Sequence, residues 1–408
     1  MRKYVFLTMS LEGLSGNPRY VNNKCGWLKK QGWEPIVFWS LDMTQIDLPH
    51  TKPFGEKKYI YHEMNFFPSW FTAMRRNTIV NSIIKTIGEA DEIVVESNKL
   101  QLGAWGELIA KKINAKHINF VTTERLKIHN RNTFDFCYTK LQRGEFFNIN
   151  KPAVQLLFSK FVDIKEPEKY YWSALMGVDV EEVPFPAFDN LPKADYTITH
   201  FGRTKGYFSY MVDELKRFIS HYPDKTFNIF FLGQIKEEES LKRNLAFSNV
   251  NVAFHLPVMT VPSQLFKKSD VVIGTAGCAW LSVNNGGKTI SMDVNNSQPL
   301  GLLCYTTLDS NTYSGKYQNN QSLSEWLEIL LIKKESYVKM DISNLVHGFE
   351  YQMQYVTPSD GFYLDTTKYR EPITRNDWLY ISLTKIGLFS LVDSIFFRKI
   401  RRKRKFDR

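Results

Sequence analysis

At 408 residues, 43% of them hydrophobic, the chain is long enough for two domains with cores of their own and too apolar for global disorder. Four scattered cysteines, Cys25, Cys137, Cys278 and Cys304, form no C-x-x-C pair, so neither a zinc site nor a disulfide framework is indicated and a reducing compartment fits. The formal net charge is +11, but eight of the 53 Lys/Arg and only one of the 42 Asp/Glu fall in residues 398–408, which leaves +4 for the rest. That balance argues against a nucleic-acid-binding body and for a localised basic contact.

In chain order, Tyr4–Met9 is too short for a signal-peptide core, with Glu12 close behind, and reads as a buried strand. A helix over Tyr20–Gln31 and a strand over Pro35–Trp39 follow. Next come a helix within Thr72–Ala90, a strand over Asp91–Glu96, a helix over Ala104–Ile113 and a strand over His117–Thr122. Short apolar runs alternating with amphipathic helices predict a parallel sheet covered on both faces. A Pro-rich boundary lies at Pro184-Phe185-Pro186 and Pro192, and the rhythm then restarts. Strands are expected at Tyr196–Phe201, Phe227–Leu232, Asn251–His255, Val271–Gly274 and Lys288–Met292. The helices are Phe208–Ser220, Glu238–Leu245, Gly277–Asn285 and Ser324–Lys334. Asn376–Lys399 reads as an aromatic-rich amphipathic helix entering the basic tail. The expected domains are therefore 1–190, 191–365 and a C-terminal helix and tail over 366–408. No stretch has the length and apolarity of a transmembrane helix.

Candidate chemistry sits at strand ends. Gly13-Leu14-Ser15-Gly16-Asn17-Pro18 follows the first strand and is either a ligand-cradling loop, with Gly16 and Asn17 at a helix start, or a plain tight turn. It is neither a dinucleotide fingerprint nor a P-loop. In Phe201-Gly202-Arg203-Thr204-Lys205-Gly206, Arg203 can grip a phosphate bidentately and Lys205 adds a point charge, unless both are solvated surface. From Ser269 to Ile290, Gly274 and Gly277 admit a diphosphate to the backbone, the N–H groups of Gly277 and Cys278 receive it, and Ser282 reaches a ribose hydroxyl or phosphate. Tight helix–strand packing also favours these small residues. Asp293-Val294-Asn295-Asn296 with Pro299-Leu300-Gly301 offers polar groups for sugar hydroxyls or a simple Asx turn. Glu107 and Glu124, after successive first-half strands, are candidate acceptor-binding carboxylates or general bases, with Glu107 equally readable as a solvated helix residue. The basic tail suits an anionic membrane surface, or is a solvated tail or an RNA-binding arm, and the helix before it can dock on the first domain, the membrane or both.

These residues together resemble bacterial polysaccharide and capsule glycosyltransferases of the "glycosyl transferases group 1" superfamily. The likeness rests on Ser15–Lys24, Leu28–Trp33, Leu102–Ala110 and Ala115–Ile118 in the first half. In the second half it rests on Phe201-Gly202-Arg203, Phe231-Leu232-Gly233, Ser269–Ile273 and Gly286–Ile290. The resemblance implies a GT-B fold, two Rossmann-like α/β domains with parallel sheets facing across a cleft. It also implies metal-independent transfer with no cofactor, from a UDP- or GDP-linked nucleotide-sugar to a lipid-linked or saccharide acceptor. The second domain would hold the donor, with Gly202, Arg203, Lys205 and Gly233 near the diphosphate. The cysteine usage, the basic tail and the near-balanced body place the chain in the cytoplasm, peripheral on the inner face of the membrane, with no nucleic-acid partner. Two departures stand out: the Arg203–Lys205 spacing is compressed, and the two glutamates common in relatives are replaced by Gly274 and Ser282. A non-catalytic scaffold, or a nucleotide-sugar epimerase on the same fold, is the alternative.

Overall fold

Successive side chains of a strand point to opposite faces, so a strand whose residues are all buried must be covered on both sides. Tyr4, Val5, Phe6 and Leu7 are all fully buried in a computed structural model of the protein, which places β1 (Arg2–Thr8) at the centre of a two-sided sheet. The structure describes residues 1–11, 16–40, 48–123, 126–172, 180–203, 206–235, 238–258, 260–311, 321–342, 348–369, 378 and 381–382. The chain divides into two compact units, Met1–Ser173 with His347–Arg408, and Ala174–Val346.

In the first unit β1 leads to α1 (Gly16–Lys30) and β2 (Trp33–Trp39), then to α2 (Ala73–Ile87) and β3 (Glu92–Ser97). α3 (Leu100–Ile113), β4 (Lys116–Val121), α4 (Arg131–Gln142), β5 (Phe146–Asn148) and α5 (Lys151–Phe158) complete it. The sheet order is β2-β1-β3-β4-β5, all parallel. Local sequence explains the helices. Thr72 caps α2 by accepting from the Arg75 N–H, and Ile79, Val80, Ile83 and Ile87 bury one stripe of it. α3 lies close on the sheet because Gly103 and Gly106 lack side chains: a Cβ at Gly103 would strike the Asn119 amide, and one at Gly106 would strike Ser97 and His117. The elements α4, β5 and α5 carry no sequence expectation above. A three-residue strand is too short to show a pattern, and its region is held by aromatic packing of Phe134, Phe136, Phe146 and Phe158.

The second unit opens with β6 (Val180–Glu181), α6 (Pro186–Asp189), β7 (Tyr196–Phe201) and α7 (Phe208–His221). It continues through β8 (Phe227–Leu232), α8 (Glu238–Asn244), β9 (Val250–His255), β10 (Val261–Pro262), α9 (Ser263–Lys268), β11 (Val271–Gly274) and α10 (Ala276–Asn284). β12 (Thr289–Met292), β13 (Pro299–Leu302) and α11 (Leu323–Leu327) end it. The main sheet runs β13-β12-β11-β7-β8-β9, parallel except for the β12–β13 pair, while β6 and β10 pair separately. One apolar layer joins Ile198, Met211, Leu215, Phe218 and Ile273; the other joins Phe201, Phe230, Leu265 and Val272. Both units are thus Rossmann-like, as the alternating pattern predicts. Pro299-Leu300-Gly301 departs from expectation: it forms an antiparallel edge strand, bulged at Ser291/Met292, rather than a polar ligand loop. The helix expected over Ser324–Lys334 is α11, opened by a Ser322–Glu325 capping box, running into a π-helical turn at Glu328–Ile332.

The chain then returns to the first unit through α12 (Phe349–Met353). The return is fastened by a buried charge. Lys24 Nζ donates to Glu96 Oε2 at 2.6 Å, to Gln352 Oε1 at 2.8 Å and to the Tyr4 hydroxyl at 2.9 Å, and both members of the ion pair are fully buried. Burial pushes the Lys24 ammonium down from its ordinary value, and Glu96 opposes that shift. Burial, aided by Glu96, raises the Tyr4 and Tyr20 phenols well above theirs. Trp27 Nε1 also donates to Glu350 at 3.0 Å. Of the helix expected over Asn376–Lys399 only Trp378, Ile381 and Ser382 are described, with Trp378 exposed and Ile381 buried; the basic tail lies outside the described residues. No helix among the described residues is long and apolar enough to cross a membrane.

Removing one member of a buried pair strands the other. Lys24→Met should cost about 3–5 kcal/mol in chemical denaturation, and adding Glu96→Gln should recover part of it. A neutral Lys24→Met would show that the pair does not secure the return segment.

Candidate functional site

In a doubly wound sheet, ligands collect outside the carboxyl ends of the strands where the order reverses. In the second unit that point lies between β7 and β11. Gly202 follows β7 with φ +137°, and Gly233 follows β8 with φ +151°. A Cβ on Gly233 would collide with the Gly202 carbonyl, one on Gly202 would sit 3.4 Å from Cys278 Sγ, and one on Gly274 would sit 3.3 Å from the Ala279 nitrogen. Three strand ends and the first turn of α10 therefore meet at backbone distance, which only glycine allows at the two positive-φ positions.

α10 contributes the positive end of its dipole to this junction. Thr275 is its extended N-cap and Ala276, with φ +47°, begins it in the left-handed region. Ser310 holds that bend: its carbonyl accepts from the Ala276 N–H at 2.8 Å and from Thr275 Oγ1 at 3.1 Å. The Cys278 N–H donates to the Thr275 carbonyl at 3.2 Å, so Gly277 is the early amide between two that are already engaged. Both Gly277 and Cys278 are half-buried, and Arg203, next to Gly202, is exposed. The turn after β12 packs on the same loop: a Cβ at Gly206 would lie 3.1 Å from the Val294 carbonyl, and Ser297 Oγ donates to the Gly206 carbonyl at 3.2 Å. Asp293 is fully buried at the base of that turn and accepts from the Asn295 N–H at 3.0 Å.

The structure thus gathers Gly202, Arg203, Gly233, Gly274, Gly277, Cys278 and Asp293 around one strand-end region; Lys205 lies outside the described residues. Ser282 needs correction as a ribose or phosphate ligand. It is fully buried, its Oγ accepts from Thr289 Oγ1 at 2.8 Å, and it lies against Gly287, where a Cβ would strike it. Ser310 and Asn311 carry no expectation above, and Thr275 enters only as a member of the Ser269–Ile290 stretch, with no role of its own. Their signal was absent, because a loop more than thirty residues downstream carries no motif tying it to the start of α10.

In the first unit, Gly16 opens α1 at a position where a Cβ would meet nothing within 4 Å, while Asn17 Nδ2 donates to Thr8 Oγ1 at 2.7 Å and ties the helix start to the end of β1. Glu124 lies outside the described residues. Glu107 is not available as a general base. It is buried, takes Lys140 Nζ at 2.9 Å and His117 Nδ1 at 2.7 Å on Oε2, and accepts the Leu364 N–H on Oε1 at 2.8 Å. Ser97 Oγ lies 3.0 Å from His117 Nε2, so Ser97, His117 and Glu107 form a hydrogen-bonded chain in the order of a hydrolytic triad. All three are buried and α3 lies against the serine at Gly106, so no substrate reaches it. Burial pushes the Glu107 carboxyl up, but Lys140 and His117 outweigh it and hold it well below the usual range. Burial likewise raises Glu145, while Lys140, Arg143 and Lys116 bring it down to about 2.

No family model and no curated protein matches the chain. Solved structures do. A UDP-GlcNAc 2-epimerase from Neisseria meningitidis bound to UDP-GlcNAc is 10% identical, with 90% of this chain and 97% of that one covered and a TM-score of 0.42. MurG from Acinetobacter baumannii is 12% identical over 72% and 78%, TM-score 0.40. The pneumococcal O-GlcNAc transferase GtfA, solved with UDP and GlcNAc, is 10% identical over 72% and 84%, TM-score 0.44. At these values the assignment of two Rossmann-like units rests on the strand orders above.

A carboxyl depressed in the folded state stabilises fully above its unfolded value, near 4.5, and that contribution is lost as pH falls through the folded value. The melting midpoint should therefore drop between about pH 4.5 and 2, and more shallowly in Glu145→Gln than in the wild type. Parallel acid limbs would remove Glu145 as a contributor.

Proposed function

We propose that this protein is a metal-independent glycosyltransferase that moves a sugar from a nucleotide-sugar to a lipid-linked or saccharide acceptor in cell-surface polysaccharide synthesis. The observation that carries the reading is the β7/β11 junction of the second unit. There the Gly202, Gly233 and Gly274 turns and the N-terminal end of α10 meet at strand ends, with Arg203 exposed directly after Gly202. Backbone amides, a helix dipole and an arginine fork together suit a diphosphate, which is the leaving group of a nucleotide-sugar.

In this reading the second Rossmann-like unit holds the donor. The oxygen of an acceptor hydroxyl forms the new bond at the anomeric carbon, the bond from that carbon to the diphosphate oxygen breaks with its electrons, and the hydroxyl proton passes to the departing diphosphate. Arg203 and Lys205, with the Gly277 amide, neutralise the charge that develops on the departing nucleoside diphosphate. Glu107 has no part in this, because its carboxylate is consumed inside the first unit. The basic run of residues 398–408 is assigned to the anionic inner face of the cytoplasmic membrane, where a lipid-linked acceptor would lie.

The test is thermal stabilisation by a panel of nucleoside diphosphates and nucleotide-sugars. A ligand at one hundred times its Kd should add about 2.7 kcal/mol to folding. We expect one base to raise the midpoint, and Arg203→Ala to abolish both that shift and sugar transfer without lowering the ligand-free midpoint. Stabilisation without transfer to any acceptor would point to a non-catalytic scaffold. No stabilisation by any member would remove the donor site.

A further inference from the structure

Two buried polar atoms beside the start of α10 have no hydrogen-bond partner: Asn311 Oδ1 and Ser291 Oγ. Asn311 is only 3% exposed. It directly follows Ser310, whose carbonyl grips both Thr275 Oγ1 and the Ala276 N–H, so its backbone is fixed against the helix start. Ser291 stands opposite Gly274 in the β11–β12 register. Its neighbours Ile290 and Met292 belong to the layer packed with α7, so strand alternation turns Ser291 to the other face, that of α10. A buried acceptor without a donor costs stability, and native chains rarely keep one without a use.

We propose that Asn311 is a donor-recognition residue, its side-chain carbonyl accepting a hydrogen bond from a sugar hydroxyl of the nucleotide-sugar bound at the start of α10. The inference rests on the donor site proposed above and adds a residue to it. A carbonyl oxygen cannot bond a phosphate oxygen, so the orphaned atom calls for a donor, and the groups flanking a diphosphate that can donate are hydroxyls. They belong either to the ribose or to the transferred sugar. The Ser310 carbonyl supplies the positioning: it holds Ala276 in its left-handed bend and thereby fixes Asn311 relative to the Gly277 amide. A site that commits a buried acceptor to one hydroxyl discriminates strongly against ligands lacking it, because the acceptor is then left unpaired.

The experiment uses the full chain and measures affinity for a nucleoside diphosphate and for its nucleotide-sugar by calorimetry, alongside the ligand-free melting midpoint. Asn311→Ala should weaken nucleotide-sugar binding by about tenfold while leaving the ligand-free midpoint unchanged or higher, since it deletes an unpaired acceptor. Asn311→Ser, whose uncharged hydroxyl can still accept a hydrogen bond, should retain part of the affinity. Weakening confined to the nucleotide-sugar assigns the transferred sugar's hydroxyl; equal weakening for the diphosphate assigns the ribose. Wild-type affinity in Asn311→Ala overturns the inference while leaving the donor site standing, and so does a lowered ligand-free midpoint with undiminished affinity. If the wild-type chain binds no nucleotide at all, the donor site fails and this residue's role fails with it.

Discussion

A parallel strand buried on both faces cannot carry chemistry along its length, and this constraint organises the whole chain. β1 buries Tyr4 through Leu7, β8 buries every residue from Phe227 to Leu232, and β11 buries Val271 through Gly274. Polar function is therefore displaced to the strand ends, where backbone amides are still available and the ladder stops. Where two ends must also meet a helix start, side chains become obstacles. Gly202, Gly233 and Gly274 are the result: each stands where a Cβ would press on a neighbouring backbone or on Cys278.

Charges that do enter the interior of the first unit are paired, and their pairing has an architectural consequence. The Lys24–Glu96 bond and the Glu107–His117–Lys140–Glu145 network both take a group from the returning C-terminal segment, Gln352 in one case and the Leu364 N–H in the other. Arg143 adds a third attachment through the Asp360 carboxylate at 2.8 Å. A buried ion pair is weak evidence for net stability, because desolvation offsets much of the attraction. Its directional demand is the more useful property: Glu107 needs a donor at one place, and only the chain passing at Leu364 supplies it. Catalysis would need that carboxylate to be accessible, and the network makes it inaccessible.

Much of this is legible in the sequence. Tyr196–Phe201, Phe227–Leu232 and Val271–Gly274 appear with the predicted bounds because short apolar runs that open after Asp or Thr and stop at Gly read as buried strands. The strand-end loops at Gly202, Gly233 and Gly274 were legible for the same reason. Burial of polar groups was not. Glu107 and Ser282 look like ligands in a sequence because carboxylates and hydroxyls usually seek water; their partners Lys140 and Thr289 are identified only by three-dimensional proximity. Pro299–Leu302 was missed as a strand because Pro and Gly within four residues suggest a turn. An edge position tolerates both, since one side of the strand needs no ladder bonds.

The loss of Ser282 as a ligand bears on how a nucleotide-sugar would be held in the proposed site. Arg203 and the start of α10 offer positive charge, which fits a diphosphate but does not distinguish one sugar or base from another. Discrimination needs acceptors and donors placed for hydroxyls, and the helix itself lacks them: its first turn is Ala276-Gly277-Cys278, and its one well-placed hydroxyl, Ser282, faces the sheet. Polar recognition must then come from a segment laid across the helix start. The stretch at Ser310 and Asn311 is so laid, because the Ser310 carbonyl satisfies the Ala276 amide that opens the helix. Small residues in α10 thus follow from the same geometry as the polar loop above it. In the proposed site, a helix that let a diphosphate reach its backbone would give up side chains there, and the specificity they would have carried would pass to the segment that satisfies its opening amide.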